Sequence, residues 1–317
     1  MLYNGIKEFN EIKTNIISES PDLPYKPDFI ILCVDFDGTL VKICKNPLDV
    51  YAPEQLKSFL KTVGKIKNVT LCIITGRGLN DIRNRVDIGE NIVYSGNHGF
   101  EIKSYYDSIK IDFLVRNTEK YIPLIKKALN EINKFRKTVL QNLIVEDKKF
   151  SISMHYRLLN YYEAKILKKY IKNLISENPL FNEYLHIAKG KKILEIMPDI
   201  DWNKGCACDY ITETFVKTSK IIIGNRGGKS EESHKINILR VNIGDDITDE
   251  NMFSDNYSIK TGNIIADVKN VNCVIGKKKS SAHIYLDGYK YTPVFIENIL
   301  YFLFLLIVYK TIRVNVT

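Results

Sequence analysis

The chain has 317 residues, 45% hydrophobic and 26% charged, ordinary proportions for a globular protein of one large or two medium domains. Its net charge of +9 suits an anionic partner, but the lysines fall in short clusters with no RNA-binding aromatic signature among them. Nucleic acid is therefore not expected, and six cysteines without zinc-site spacing, behind an N-terminus with no apolar leader, point to a reducing, cytoplasmic setting.

Phe29 to Val34 is a run of six apolar residues, the pattern of a strand buried on both faces. Asp35 and Asp37 stand at its carboxyl end, just before Gly38. Two carboxylates there are costly unless a metal or a reacting phosphate shares the site. Pro53 suits a first helical position, and Leu56, Phe59, Leu60 and Val63 follow at helical spacing. Val69 to Ile74 predicts a second strand before Thr75-Gly76-Arg77, and Ile92 to Tyr94 a third before Ser95-Gly96-Asn97-His98-Gly99. Alternating strands and helices predict an α/β domain with a Rossmann-like parallel sheet, whose strand ends meet at one edge.

From Phe113 to Pro198 the rhythm changes. A helical stripe from Tyr121 to Phe135 precedes a hairpin, Asn142–Val145 with Phe150–His155, turning at residues 146–149. A second stripe, Leu167 to Leu174, precedes another hairpin, Tyr184–Ala188 with Lys192–Ile196, turning at residues 189–191. The expected organisation is a discontinuous core, residues 1–112 and 199–317, with residues 113–198 as an inserted α+β domain.

Gly224 to Asn237 predicts a polar loop, and its Gly228-Lys229-Ser230 lacks the spacing of a nucleotide-binding loop. Ile238 to Ile243 predicts the fourth motif strand, before Gly244-Asp245-Asp246. Ile299 to Tyr309 is wholly apolar or aromatic but shorter than the ~20 residues that span a bilayer. It predicts a terminal helix closing the core, with a membrane anchor as the lesser alternative. Nothing in the sequence sets an oligomeric state.

Taken together, the strand ends supply a kit for magnesium-assisted phosphoryl transfer. It comprises the Asp pair, a hydroxyl with Arg, Lys204 after the insertion, and the cluster Asp245-Asp246-x-x-Asp249-Glu250. One carboxylate can attack phosphorus while a second moves the proton. A hydroxyl and a lysine can hold the phosphate oxygens.

On these motifs the chain resembles the haloacid-dehalogenase superfamily of phosphatases and, within it, the trehalose-6-phosphate phosphatase family. Asp35-Phe36-Asp37-Gly38-Thr39-Leu40, Thr75-Gly76-Arg77, Asn203-Lys204-Gly205 and Gly244 to Glu250 match the four superfamily motifs. Gly96 to Glu101, His155-Tyr156-Arg157 and Lys191 to Ile196 carry the narrower likeness. The resemblance implies a haloacid-dehalogenase core with residues 113–198 as its cap. Asp35 would be the nucleophile and Asp37 the general acid/base. Magnesium would be held by Asp35, the Asp37 carbonyl and Asp245, with Asp249 acting through water or by orienting that site. Thr75 and Lys204 would bind the phosphate. Arg77, Asn97, His98 and Glu101 would reach the sugar from the core, and Glu195 with Lys191 or Lys192 from the cap. The implied partner is a small sugar phosphate, and the implied reaction turns trehalose 6-phosphate into trehalose and phosphate in trehalose biosynthesis. A phosphatase for sucrose phosphate or mannosylphosphoglycerate, or an inactive sugar-phosphate sensor, are the alternatives. Asp246 is either a helix cap or part of the site, and Arg157 either a surface residue or a ligand. The family usually has a basic residue where Met197 stands.

Overall fold

A computed structural model describes residues 27–224, 234–276 and 279–301. Strands β1 (Phe29–Val34) and β2 (Val69–Ile74) coincide with the first two apolar runs. Helix α1 (Glu54–Gly64) lies between them, with Pro53 as its extended N-cap rather than its first residue. After α2 (Leu79–Val86), strand β3 (Val93–Gly96) begins one residue later than expected and takes in Ser95 and Gly96. Two short antiparallel strands then follow that the apolar pattern did not predict, β4 (Glu101–Ser104) and β5 (Asp112–Leu114). The main sheet thus includes Phe113 and Leu114.

The next stretch builds a separate four-stranded sheet. Helix α3 (Ile122–Val139) leads to β6 (Ile144–Asp147) and β7 (Ile152–His155). The turn falls at residues 148–151, two later than expected, because Glu146 and Asp147 are strand residues paired with Ser153 and Ile152. Helix α4 (Tyr161–Glu177) opens on a capping box between Asn160 and Glu163. A short helix α5 (Pro179–Tyr184), absent from the sequence expectation, runs into β8 (Leu185–Gly190), which pairs with β9 (Ile193–Pro198). The turn between them is Lys191-Lys192, with Lys192 at φ +63°.

Helix α6 (Lys204–Gly224) returns the chain to the main sheet. Strand β10 (His234–Gly244) takes in residues 234–237 of the expected loop; residues 225–233 lie outside the described residues. Strands β11 (Tyr257–Thr261), β12 (Ile264–Ile275) and β13 (Ile284–Leu286) complete the sheet. Its order is β11-β12-β10-β1-β2-β3-β4-β5, with β13 beside β12. The strands from β12 to β3 are parallel, so Asp35, Thr75, Asn97 and Asp245 leave the sheet at one edge.

Alternation along β1 explains the layering. Ile30, Leu32 and Val34 pack with Leu56, Leu60 and Val63 of α1, while Ile31 and Cys33 pack with Ala207, Cys208 and Ile211 of α6. Each fully buried aliphatic side chain of this kind contributes about 1.5–3 kcal/mol. Residues 292–301 are helical, and Phe295, Ile296 and Ile299 join the α1 layer. Residues 302–309 of the apolar C-terminal run lie outside the described residues. No helix among the described residues is long and apolar enough to cross a membrane.

The smaller sheet, in order β6-β7-β9-β8, turns Ile152, Met154, Leu194 and Ile196 toward α3 and α4. Side chains alternate across a strand, so Ser151, Ser153, His155 and Glu195 point the other way. That polar face lies over the edge of the main sheet.

Candidate active site

The centre of the site is a buried charge cluster. Asp35 leaves β1 with its carboxylate buried but lining a cavity, and Lys204 Nζ donates to Asp35 Oδ1 at 2.7 Å and to Asp249 Oδ1 at 2.6 Å. Lys204 stands at the start of α6, whose first turn is tied by Cys206 N–H donating to Asn203 Oδ1 at 3.1 Å. Burial pushes the Asp35 carboxyl well above the usual range; Lys204 opposes this, and Asp249 and Asp245 add to it. Burial alone would depress the Lys204 ammonium, but Asp249 and Asp35 outweigh it and hold the group above the ordinary lysine range.

Asp249 staples the acidic loop. Its Oδ2 accepts from the backbone N–H of Asp245 and of Asp246, both at 2.8 Å. Gly244 is required here, since a Cβ would lie 2.2 Å from the Asp249 Cβ. Asp246 caps the following 3-10 turn through Ile247 N–H at 2.8 Å, as a helix-cap role would have it. Gly38 has φ +92°, and a Cβ there would sit 2.3 Å from Asp245 Oδ2. The first motif and the fourth therefore touch through a residue with no side chain.

Asp37 is about one-third exposed and is gripped by Arg77, which donates from Nε at 2.6 Å and from Nη2 at 2.8 Å. Arg77 is itself pinned by Asp81 at 3.1 Å and the Pro47 carbonyl at 3.0 Å. Thr75 is buried, and its Oγ1 accepts from Arg77 N–H at 3.2 Å.

The smaller sheet meets the edge through named contacts. Glu195 Oε2 lies 3.0 Å from His98 Nε2, while Glu195 Oε1 accepts from Ser151 Oγ at 2.6 Å and from Lys148 Nζ at 3.1 Å. Lys148 also donates to the Gly76 carbonyl at 2.8 Å. Burial opposes ionisation of Glu195, but Lys148, His98 and Ser151 prevail and hold its carboxyl well below the usual range. Lys191 donates to Asp245 Oδ2 at 2.5 Å and to its carbonyl at 2.8 Å. Arg157 donates to the Cys44 carbonyl at 3.3 Å and the Lys191 carbonyl at 2.9 Å.

These groups enclose a cavity of about 120 Å³. Of the expected residues, Asp35, Asp37, Thr75, Arg77, His98, Lys191, Glu195, Lys204, Asp245 and Asp249 line it. Asn97 and Glu101 do not; Asn97 Nδ2 donates to Glu101 Oε2 at 2.6 Å beside it. Lys192 points to a different groove. Sequence reasoning missed Glu146, Lys148 and Ser153, which line the cavity too, and Ser151, which braces Glu195; His155, singled out only as part of a motif, also lines it. Ser151, Ser153 and His155 recur with period two along one run, a signal that was available; Lys148 had none. Ser153 Oγ and His155 Nδ1 are buried and have no hydrogen-bond partner among the described residues, so both can serve a hydroxyl-rich ligand.

Asp35, Asp245 and Asp249 offer carboxylate oxygens within 4.8 Å of one another. An all-oxygen set of buried like charges suits a hard divalent cation. Asp249 has both oxygens engaged by Lys204 and backbone N–H groups, whereas Asp35 and Asp245 each keep one oxygen clear of these bonds and could offer it to a cation.

The parallel sheet, its acidic edge and the inserted four-stranded cap define a protein of the haloacid-dehalogenase phosphatase fold. The chain belongs to the trehalose-phosphatase family, whose model matches residues 33–290. It is 28% identical over 230 residues to the probable trehalose-phosphate phosphatase D of Arabidopsis thaliana, covering 71% of this chain and 56% of that protein. Trehalose-phosphate phosphatase B of the same plant is 27% identical over 229 residues, with 71% and 55% coverage. The chain thus spans about half the length of the curated relatives it matches. Among solved structures, the Candida albicans trehalose-6-phosphate phosphatase C-terminal domain superposes with a TM-score of 0.60 at 20% identity, covering 96% of each chain. A trehalose-6-phosphate phosphatase related protein gives 0.61 at 19%, covering 85% of this chain and 96% of the other. At such identity these two speak for the fold.

Proposed function

We propose that this protein hydrolyses trehalose 6-phosphate to trehalose and phosphate, as a cytoplasmic step of trehalose biosynthesis. The observation that carries the reading is the convergence of Asp35, Thr75, Lys204 and Asp245 beneath His98 and Glu195 in one cavity. The lower groups suit a phosphoryl centre, and the upper ones suit sugar hydroxyls.

Asp35 attacks phosphorus, forming an aspartyl-phosphate as the bond to the sugar oxygen breaks. Asp37 gives the departing oxygen its proton, then takes one from the water that cleaves the acyl-phosphate and restores Asp35. Arg77 keeps the Asp37 carboxylate aimed through both transfers. Lys204 and Thr75 hold the phosphoryl oxygens as charge shifts among them. Asp35, the Asp37 carbonyl and Asp245 would hold Mg²⁺, which would supply neutralisation of phosphate charge. Glu195, braced by Lys148 and Ser151, and His98 accept or donate to the glucose hydroxyls, with Ser153 and His155 beside them. Residues 121–198, the four-stranded sheet with its helices, act as the cap, which begins later than residue 113 because Phe113 and Leu114 belong to the main sheet. A cavity of about 120 Å³ is well below the ~300–1,000 Å³ typical of organic ligand sites, so the cap must lift to admit a disaccharide.

The test is phosphate release from trehalose 6-phosphate, sucrose 6-phosphate and mannosylphosphoglycerate, with Mg²⁺, by the wild type and by Asp35→Asn. The reading expects trehalose 6-phosphate to turn over fastest and Asp35→Asn to be inactive. Faster turnover of another ester would reassign the substrate. Equal phosphate release by the two proteins would remove Asp35 as nucleophile.

A further inference from the structure

On the flank of the cap, adjoining the catalytic cavity at Lys191, lies a second groove of about 820 Å³. Its walls carry Tyr156 and Tyr161, and four lysines, Lys165, Lys168, Lys191 and Lys192; no acidic residue lines it. Lys165 and Lys192 make no ion pair among the described residues, and Lys168 Nζ rests 5.2 Å from the centre of the Tyr156 ring. Like charges around one concavity repel each other, weakly at exposed positions, and that cost is relieved when an anion enters. Tyr161 is 75% exposed, so an aromatic face stands open on the groove. Lysine ammonium groups and tyrosine rings around an open space are the recognition elements for a phosphorylated organic molecule.

We propose that this groove is a second anion site, for a ligand carrying two or more phosphate groups. A monophosphate is balanced by two lysines, whereas Lys165, Lys168 and Lys192 are available together and Lys191 can join them. Lys191 is the link to the reaction centre, because the same ammonium reaches Asp245. An occupied groove therefore competes for a cation that the catalytic edge also uses. Soluble polyphosphorylated metabolites and phosphoinositide headgroups share this chemistry.

The experiment is calorimetric titration of the full chain, without added metal, using inositol trisphosphate. A parallel arm uses co-sedimentation with phosphatidylcholine vesicles containing phosphatidylinositol bisphosphate. Binding should weaken at least about tenfold in the double variant Lys165→Glu/Lys168→Glu and persist in Lys148→Met, whose lesion lies in the catalytic cavity. Both substituted lysines are exposed, and an unchanged melting temperature would confirm that the double variant folds. Binding of the soluble probe identifies a free metabolite as the source; binding of vesicles alone identifies a membrane headgroup. Affinity unchanged by the double variant, or lost in Lys148→Met instead, would place the anion in the catalytic cavity and overturn the proposal. Failure of both probes would overturn it too. Neither result bears on hydrolysis of trehalose 6-phosphate.

Discussion

Asp37 owes its aim to Arg77, whose guanidinium fork holds both carboxylate oxygens while Asp81 and the Pro47 carbonyl fix the fork. A lysine offers a point charge and cannot make the paired contact. Arg77→Lys should therefore lower kcat roughly 10–100-fold with a smaller change in KM, as expected when a proton-transfer group is misplaced. Steady-state kinetics will check this; an unchanged kcat would show that Asp37 needs no clamp. The cluster of Asp35 and Asp245 makes a second forecast. Chelation should abolish phosphate release and Mg²⁺ should restore it, whereas Ca²⁺, with longer bonds and looser geometry, should not. Full activity in a chelator would contradict the metal assignment. Glu146 illustrates linkage at a single group. Burial opposes its ionisation, but the hydrogen bond to His155 and the nearby Lys148 hold it at about 2. That lies below the ~4.3 of an unfolded glutamate, so its contribution, of order 3 kcal/mol, is complete above about pH 4.3 and fades as pH falls toward 2. Urea unfolding of wild type and Glu146→Gln should thus differ at pH 6 and converge as the solution is acidified. A gap that stayed constant would refute the assignment.

At the scale of elements, the strands most readable in the sequence were those whose apolar run is bounded by a functional loop. The runs before Asp35 and Thr75 match β1 and β2 residue for residue, because a central parallel strand is buried on both faces. Strand β12 escaped notice because Asn270 and Asn272 interrupt its apolar half. Both are satisfied internally, Asn270 by Arg240 at 2.7 Å and Asn272 by Asn242 at 2.8 Å, so polar residues there are compatible with a buried sheet. The site divides in the same way. Asp35, Thr75, Lys204 and Asp245 were legible because each follows a recognisable strand end or opens a helix. Lys148 was not, since its partner Glu195 lies 47 residues away and meets it only through the β6-β7-β9 order. That pairing predicts a strong effect. Lys148→Met leaves a buried carboxylate short of a cation and breaks the bond to the Gly76 carbonyl. It should lower kcat/KM about 10–100-fold, mainly through KM, and a neutral result would remove Glu195 from substrate binding.

At the scale of the molecule, the chain passes from the main sheet to the four-stranded sheet after Leu114 and returns through residues 199–203. Trp202, the chain's only tryptophan, sits on that path and donates to the Gly99 carbonyl at 2.8 Å, next to His98. Adding trehalose 6-phosphate to Asp35→Asn in Mg²⁺ should therefore shift its emission as the cap settles. An emission spectrum insensitive to saturating substrate would speak against cap movement. The other rim of the joint is apolar: Met197 and Phe150 from the cap pack on Phe100 and Val115 from the core. Apolar contact has no preferred direction, whereas each hydrogen bond from Lys148, Lys191, Arg157 and Glu195 does. Met197 thus lies within an apolar contact. On the proposed cap movement, a contact of this kind tolerates sliding, and the cost of opening falls on the polar rim. Salt, which screens charges but spares apolar contact, should then loosen the lid while leaving the hinge intact.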